Sequence, residues 1–165
     1  RTEMEAVAAH FGKKVLREVA QEEVENHIGE LRKACGDRAV LRALHFYDEN
    51  ARVLEQAAAI RGGDLPAFFD AVNRSGESSW KLLQNVYARP TEEQMAMGIE
   101  LSRRFLAGDG AQRVHGGGFA GTIQAYVPLD RLDDYKKLME DAFGPGSCTA
   151  LMVRPEGAVM MPMEG

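Results

Sequence analysis

Four of the six residues from Gly116 to Gly121 are glycine, and Arg113 and His115 stand just before them in the stretch RVHGGGFAGT. Glycine loses more conformational freedom on folding than any other residue, so such a concentration needs a physical reason. Successive glycines can turn several backbone N–H groups toward one point and so form an anion-binding concavity. Two familiar phosphate loops do not fit, however. A Walker A loop needs Lys followed by Ser or Thr at the start of a helix, and here Phe119, Ala120, Gly121 and Thr122 follow. A dinucleotide fingerprint leads from strand into helix, whereas this run joins two segments with strand patterning. Spacing alone favours a tight connection, but a hairpin turn needs only about one or two glycines. The surplus suggests close approach by another backbone. His115, with its near-neutral pKa, is a candidate for a hydrogen bond or partial positive charge near a phosphate. The alternative is a bond to a neighbouring backbone group.

Other chemistry-bearing residues are sparser. His45 and Glu49 are four apart in a helical pattern, which allows a metal pair, but an ion pair is the expected use of that spacing. His10 and His27 have no ligand-type neighbours in sequence and read as surface. The polar run NRSGESS (73–79) lies inside a helical stretch. It is either a solvent face or a face carrying Asn73, Ser75 and Ser78 toward a polar ligand. Cys35 and Cys148 lie far apart and read as reduced, partly buried thiols. No catalytic triad, Cys/His pair or carboxylate dyad follows from the spacing, and no metal site is expected.

The elements that position these residues are legible from periodicity. Met4, Val7, Ala8 and Phe11 predict a first helix stopped by Gly12. Residues 13–20 read as extended chain or a short strand, and 21–33 as one helix. Val40, Leu44, Tyr47, Ala51, Leu54 and Ala58 predict a long amphipathic helix ended by Gly62 and Gly63. Asp64 caps the next helix, with Pro66 in its first turn. Thr91 and Gln94 have capping-box spacing for a further helix. The period then changes to two: 111–115 and 122–128 read as strands. Asp130 starts a helix, residues 147–153 read as a strand, and 158–161 as an edge strand after a turn, with a Met-rich end of core followed by tail. Several helices followed by β-β-α-β give an α+β layout with helices packed on one face of a mostly antiparallel sheet.

A chain of 165 residues fits one domain, here 1–165. The net charge of −5 argues against broad binding to nucleic acid or an anionic membrane. No apolar run reaches membrane-spanning length and no signal peptide is present, so a cytoplasmic location is expected. The start at Arg1 reads as a piece cut from something longer.

Three stretches, in order, resemble the galactokinases of the GHMP kinase superfamily. GAQRVHGGGFAGTIQAYVP resembles the family's third motif, matching at Arg113, Gly116, Gly117, Gly118, Phe119, Gly121, Ala125 and Pro128. RALHFYDENARVLE (42–55) resembles a family helix, and FFDAVNRSGESS (68–79) a family serine segment, with Asn73, Ser75 and Ser78 in place. His115 stands where the family usually has threonine, Ala120 replaces a glycine, and Gly76 replaces a histidine. Residues 84–94 do not follow the usual pattern, and together these departures mark a divergent bacterial-type branch.

The resemblance implies the ferredoxin-like C-terminal domain of a GHMP kinase, with additional N-terminal helices. It implies a phosphotransferase that uses ATP and Mg²⁺ to phosphorylate the anomeric hydroxyl of galactose. In that family the ATP loop, the catalytic residues and most sugar contacts lie in the N-terminal half, none of whose motifs occurs here. No catalytic residue is therefore expected in this chain, and the N-terminal domain of the same polypeptide is the expected partner. The chain alone is expected to be inactive and to bind no cofactor. The alternatives are a non-catalytic sugar-sensing module, or a kinase for another small-molecule hydroxyl.

Overall fold

The computed structural model describes residues 1–86, 89–119 and 121–153. Helix α1 (Thr2–His10) ends as expected. Gly12 takes φ +69°, and Lys13 N–H reaches the Ala8 carbonyl at 3.0 Å, which closes a Schellman-type cap. Residues 13–20 do not form a strand. They bend through a 3-10 turn at Leu16–Glu18, and the Tyr47 hydroxyl sits 3.1 and 3.0 Å from the Leu16 and Val19 carbonyls. A side chain on the long helix thus satisfies backbone groups that a strand would give to a ladder.

The single helix expected over 21–33 is two, α2 (Gln21–Asn26) and α3 (Ile28–Cys35). The break falls at His27, whose ring Nδ1 lies 2.7 Å from the Glu23 carbonyl, in competition with the helix's own N–H. His27 also meets the Phe11 ring edge-on and is half-buried, which corrects its reading as a surface residue; His10 is exposed as expected.

Helix α4 (Asp37–Gly62) runs unbroken to Gly63, which caps it in the left-handed region. Helix α5 (Leu65–Ser78) opens with the Asp64 carboxylate accepting the Ala67 N–H at 3.0 Å. Its end widens into a π turn, Ser79–Leu83, closed by a bond from Gln84 N–H to the Ser79 carbonyl. The capping box expected at Thr91 and Gln94 is absent. Pro90 and Thr91 instead occupy a turn closed by Glu92 N–H on the Arg89 carbonyl, and α6 (Gln94–Leu106) begins after it. Proline suits the second position of such a turn, and that role displaces the helix start by three residues.

Strands β1 (Ala111–Val114) and β2 (Ile123–Tyr126) pair antiparallel, with Ala111 opposite Tyr126 and Val114 opposite Ile123. Helix α7 (Leu132–Phe143) follows a 3-10 turn at Leu129–Arg131. The described residues therefore form a mostly helical α+β fold with one two-stranded sheet. The strand expected at 147–153 is not formed. Leu151, Met152 and Val153 are exposed and pair with no ladder among the described residues, and apolar patterning without a partner does not make a strand. The edge strand expected at 158–161 and the Met-rich end lie outside the described residues. No helix of the described residues is long and apolar enough to cross a membrane.

The described residues form two apolar cores. One joins α1 to α4 around Val7, Leu31, Val40 and Ala43. The other gathers Val86, Met95, Ile99 and Val114 beneath the sheet.

Candidate functional site

Polar side chains line the seam where α4, α5 and β1 meet. Glu49 is the hub: it accepts hydrogen bonds from Ser75 and Arg52 and faces the Arg113 guanidinium at 3.5 Å. One turn back, His45 Nδ1 is 2.9 Å from Ser78 Oγ. Burial pushes the His45 pKa down, against the opposing pull of Glu49, so the ring is neutral at pH 7. The i,i+4 pairing expected between His45 and Glu49 is thus not made, because each has a closer partner on α5.

This arrangement also answers what the polar run on α5 does. Ser75, Ser78 and Ser79 are buried. Asn73 uses both ends of its amide at the start of β1: its Oδ1 accepts the Gln112 N–H at 3.0 Å and its Nδ2 donates to the carbonyl of Gly110, just before the strand, at 3.3 Å. A Cβ on Gly76 would stand 2.9 Å from the Gln112 carbonyl oxygen and 3.1 Å from Arg113 Cβ. The face is packed inside the fold rather than open to solvent, and it fixes the helix against β1. A residue without a side chain at 76 is what allows the contact.

Strand β1 carries the chain from that seam into the glycine loop. His115 N–H bonds the Thr122 carbonyl at 3.1 Å and extends the hairpin by one step. The His115 ring is exposed, with Nδ1 3.2 Å from Gln124 Oε1, and Gln124 in turn donates to the Tyr126 hydroxyl at 2.6 Å. Its partner is therefore a side chain of the facing strand.

Gly116 and Gly118 have φ of +59° and +71°, Gly117 between them does not share the positive sign, and Phe119 follows at +57°. Gly116 and Gly117 form a hydrogen-bonded turn between His115 and Gly118, and among the described residues the N–H groups of Gly116 and Gly117 meet no acceptor. Alternating backbone hand with free N–H groups is the arrangement that receives an anion. A side chain added at Gly116, Gly117 or Gly121 would enter open space. Gly118 differs: its missing Cβ would overlap the Asn85 carbonyl oxygen and side-chain amide. The close backbone approach at Gly118 is made by Asn85, which no spacing in the sequence had singled out. Its only early signal was the departure of residues 84–94 from the family pattern.

Among the described residues, no group of three His, Cys, Asp or Glu side chains could hold a metal ion. Cys35 and Cys148 are both free and partly buried.

No family model matches the chain. Over 143 residues, 87% of this chain, it is 30% identical to the galactokinase of Mannheimia succiniciproducens and 32% identical to that of Haemophilus influenzae strain KW20. The galactokinase of Actinobacillus succinogenes is 30% identical over the same length. The chain spans 36% of the length of each of these relatives. The resemblance to galactokinases therefore holds along nearly the whole chain, beyond the three stretches that first carried it.

Proposed function

We propose that this chain is the C-terminal part of a galactokinase-like sugar kinase, with the ferredoxin-like plan of GHMP kinase C-terminal domains. In this reading residues 1–165 form one domain, which meets an N-terminal domain of the same polypeptide in the cytoplasm. The whole enzyme transfers the γ-phosphoryl group of ATP to the anomeric hydroxyl of galactose. The observation that carries the reading is the match to galactokinases over 143 residues, which extends through the glycine loop.

Phosphoryl transfer depends mostly on positioning and electrostatic stabilisation of charge on the transferred oxygens. The unpartnered N–H groups of Gly116 and Gly117 suit that task, because they are fixed donors that need no reorganisation when charge develops. Arg113, held by Glu49, anchors the strand that delivers them. His115 and Phe119 flank the loop on its exposed side. Asn73, Ser75 and Ser78 serve the reading through the scaffold, since they bind β1 and α4. Mg²⁺ would accompany ATP and bridge its phosphates.

The test is turnover of the full-length polypeptide with ATP, Mg²⁺ and a panel of sugars. Galactose-dependent ADP release is expected from the full-length protein and none from this chain alone. Sugar binding without turnover would instead make it a sensing module. Turnover with only a different hydroxyl substrate would reassign the kinase within the superfamily.

A further inference from the structure

Asn85 lies just outside the glycine loop in space and more than thirty residues before it in sequence. It is 2% exposed, yet it is an amide with four hydrogen-bonding positions. Its side-chain Nδ2 donates to the Gly117 carbonyl at 3.1 Å, and its backbone carbonyl accepts the Phe119 N–H at 3.1 Å. Between those two bonds the Gly118 backbone presses against it with no room for a side chain. The loop therefore folds around Asn85 at three consecutive residues.

Two strained residues surround this contact. Phe119 is a bulky residue at φ +57° with its ring largely exposed. Such a conformation persists only where its surroundings hold it, and the Asn85 carbonyl supplies a bond that does so. Gln84, at φ +58°, turns the chain out of the π turn so that Asn85 points at the loop. The Leu83 carbonyl that precedes it accepts from Arg42 Nε at 3.0 Å, and Arg42 is in turn paired with Glu3. The loop's shape is thereby tied to α4 and α1.

We infer that Asn85 is a positioning residue: it holds residues 117–119 in the conformation that leaves the Gly116 and Gly117 N–H groups free for a phosphate. This rests on the kinase reading for its purpose, but the clamp itself can be measured without turnover. The probes are the full-length protein with Asn85→Ala or Asn85→Asp, amide exchange over residues 113–122, and steady-state kinetics with MgATP and galactose.

The Ala variant removes the donor to Gly117. Exchange of the hydrogen-bonded amide of Phe119 should accelerate at least tenfold, while the melting transition remains cooperative. The KM for ATP should rise about tenfold, the cost of one lost hydrogen bond, with the galactose KM unchanged. The Asp variant places a carboxylate against the Gly117 carbonyl. Its defect should shrink as pH falls and the protonated carboxyl regains a donor, a rescue that a merely structural lesson in packing would not show. Unchanged loop exchange in the Ala variant would overturn the clamp. Faster exchange with an unaltered ATP KM would overturn its role in phosphate binding. If the wild-type protein shows no sugar-dependent turnover, the kinase reading fails, and loop exchange alone still decides whether Asn85 shapes the loop.

Discussion

His45 on α4 and Ser78 on α5 form a buried hydrogen bond, Nδ1 to Oγ at 2.9 Å, beside the Glu49 hub. Burial holds the ring neutral, and Asp48, Glu49, Arg52 and Arg113 are the charged groups that act on it. The unfolded chain takes up a proton near the ordinary histidine value of about 6.5, whereas the folded ring resists until a lower pH. This contribution is therefore fully present above about pH 6.5 and is lost as pH falls toward the lowered folded value, with a slope of at most about 1.4 kcal/mol per pH unit. Urea denaturation at pH 8, 6 and 5 should show that decline. Subtracting the curve of a His45→Gln variant should remove most of it. Equal declines in both proteins would assign the pH dependence to other groups.

Glu49 carries a second prediction. Its two cation partners differ in setting: Arg52 is buried and its Nε has no partner among the described residues, whereas Arg113 is partly open to water. Removing the carboxylate leaves Arg52 charged and uncompensated, so Glu49→Ala should cost about 3–5 kcal/mol of stability. Glu49→Gln keeps an acceptor for Ser75 and should cost less. Chemical denaturation of the two variants checks the order, and equal losses would count against a role for charge.

Gly76 and Gly29 make a matched pair. Both lie in helices, where alanine is intrinsically preferred by about 1 kcal/mol. A Cβ at Gly29 meets nothing within 4 Å, so Gly29→Ala should be neutral or stabilise by a few tenths of a kcal/mol. A Cβ at Gly76 meets the backbone of β1 at 2.9 Å, and the strand cannot yield without breaking the Asn73 bonds. Gly76→Ala should therefore destabilise by about 1–3 kcal/mol despite its helix preference. Thermal melts of both variants decide the matter, and a stabilised Gly76→Ala protein would contradict the packing.

These cases show what the sequence could carry. Period-four spacing located α4 and α5, because that signal follows from which face is buried, and period-two alternation located β2, although all four of its residues are half-buried. The Asp64 cap and the Gly12 and Gly63 stops were legible because they act within a few residues. The break at His27 and the bend at 13–20 were not, since Glu23, Leu16 and Val19 give their carbonyls to side chains that local pattern does not reveal. The polar face of α5 was visible as polar, but its burial depends on Glu49 and His45 from another helix. The strand expected at 147–153 had the right residues and lacked a ladder partner. At the loop, glycine content signalled close approach, while the identity of the approaching residue, Asn85, required the fold.

The glycine loop supports the last prediction, which separates folding from function. A side chain at Gly117 enters open space, and its φ is not in the left-handed region, so Gly117→Val should leave the melting temperature within a few degrees of the wild-type value. In the full-length protein the same valine projects from the loop proposed to face the phosphates, where a displacement of about 1 Å can cost on the order of a hundredfold in turnover. Gly118→Ala should behave differently: it adds strain at φ +71° and collides with Asn85, so it should disturb the loop even without ligand. Circular dichroism melts and galactose-dependent ADP release on the two variants distinguish these outcomes. Full activity in Gly117→Val would show that nothing approaches the loop there during turnover. A destabilised Gly117→Val protein would instead place a packing contact at a position that is open among the described residues.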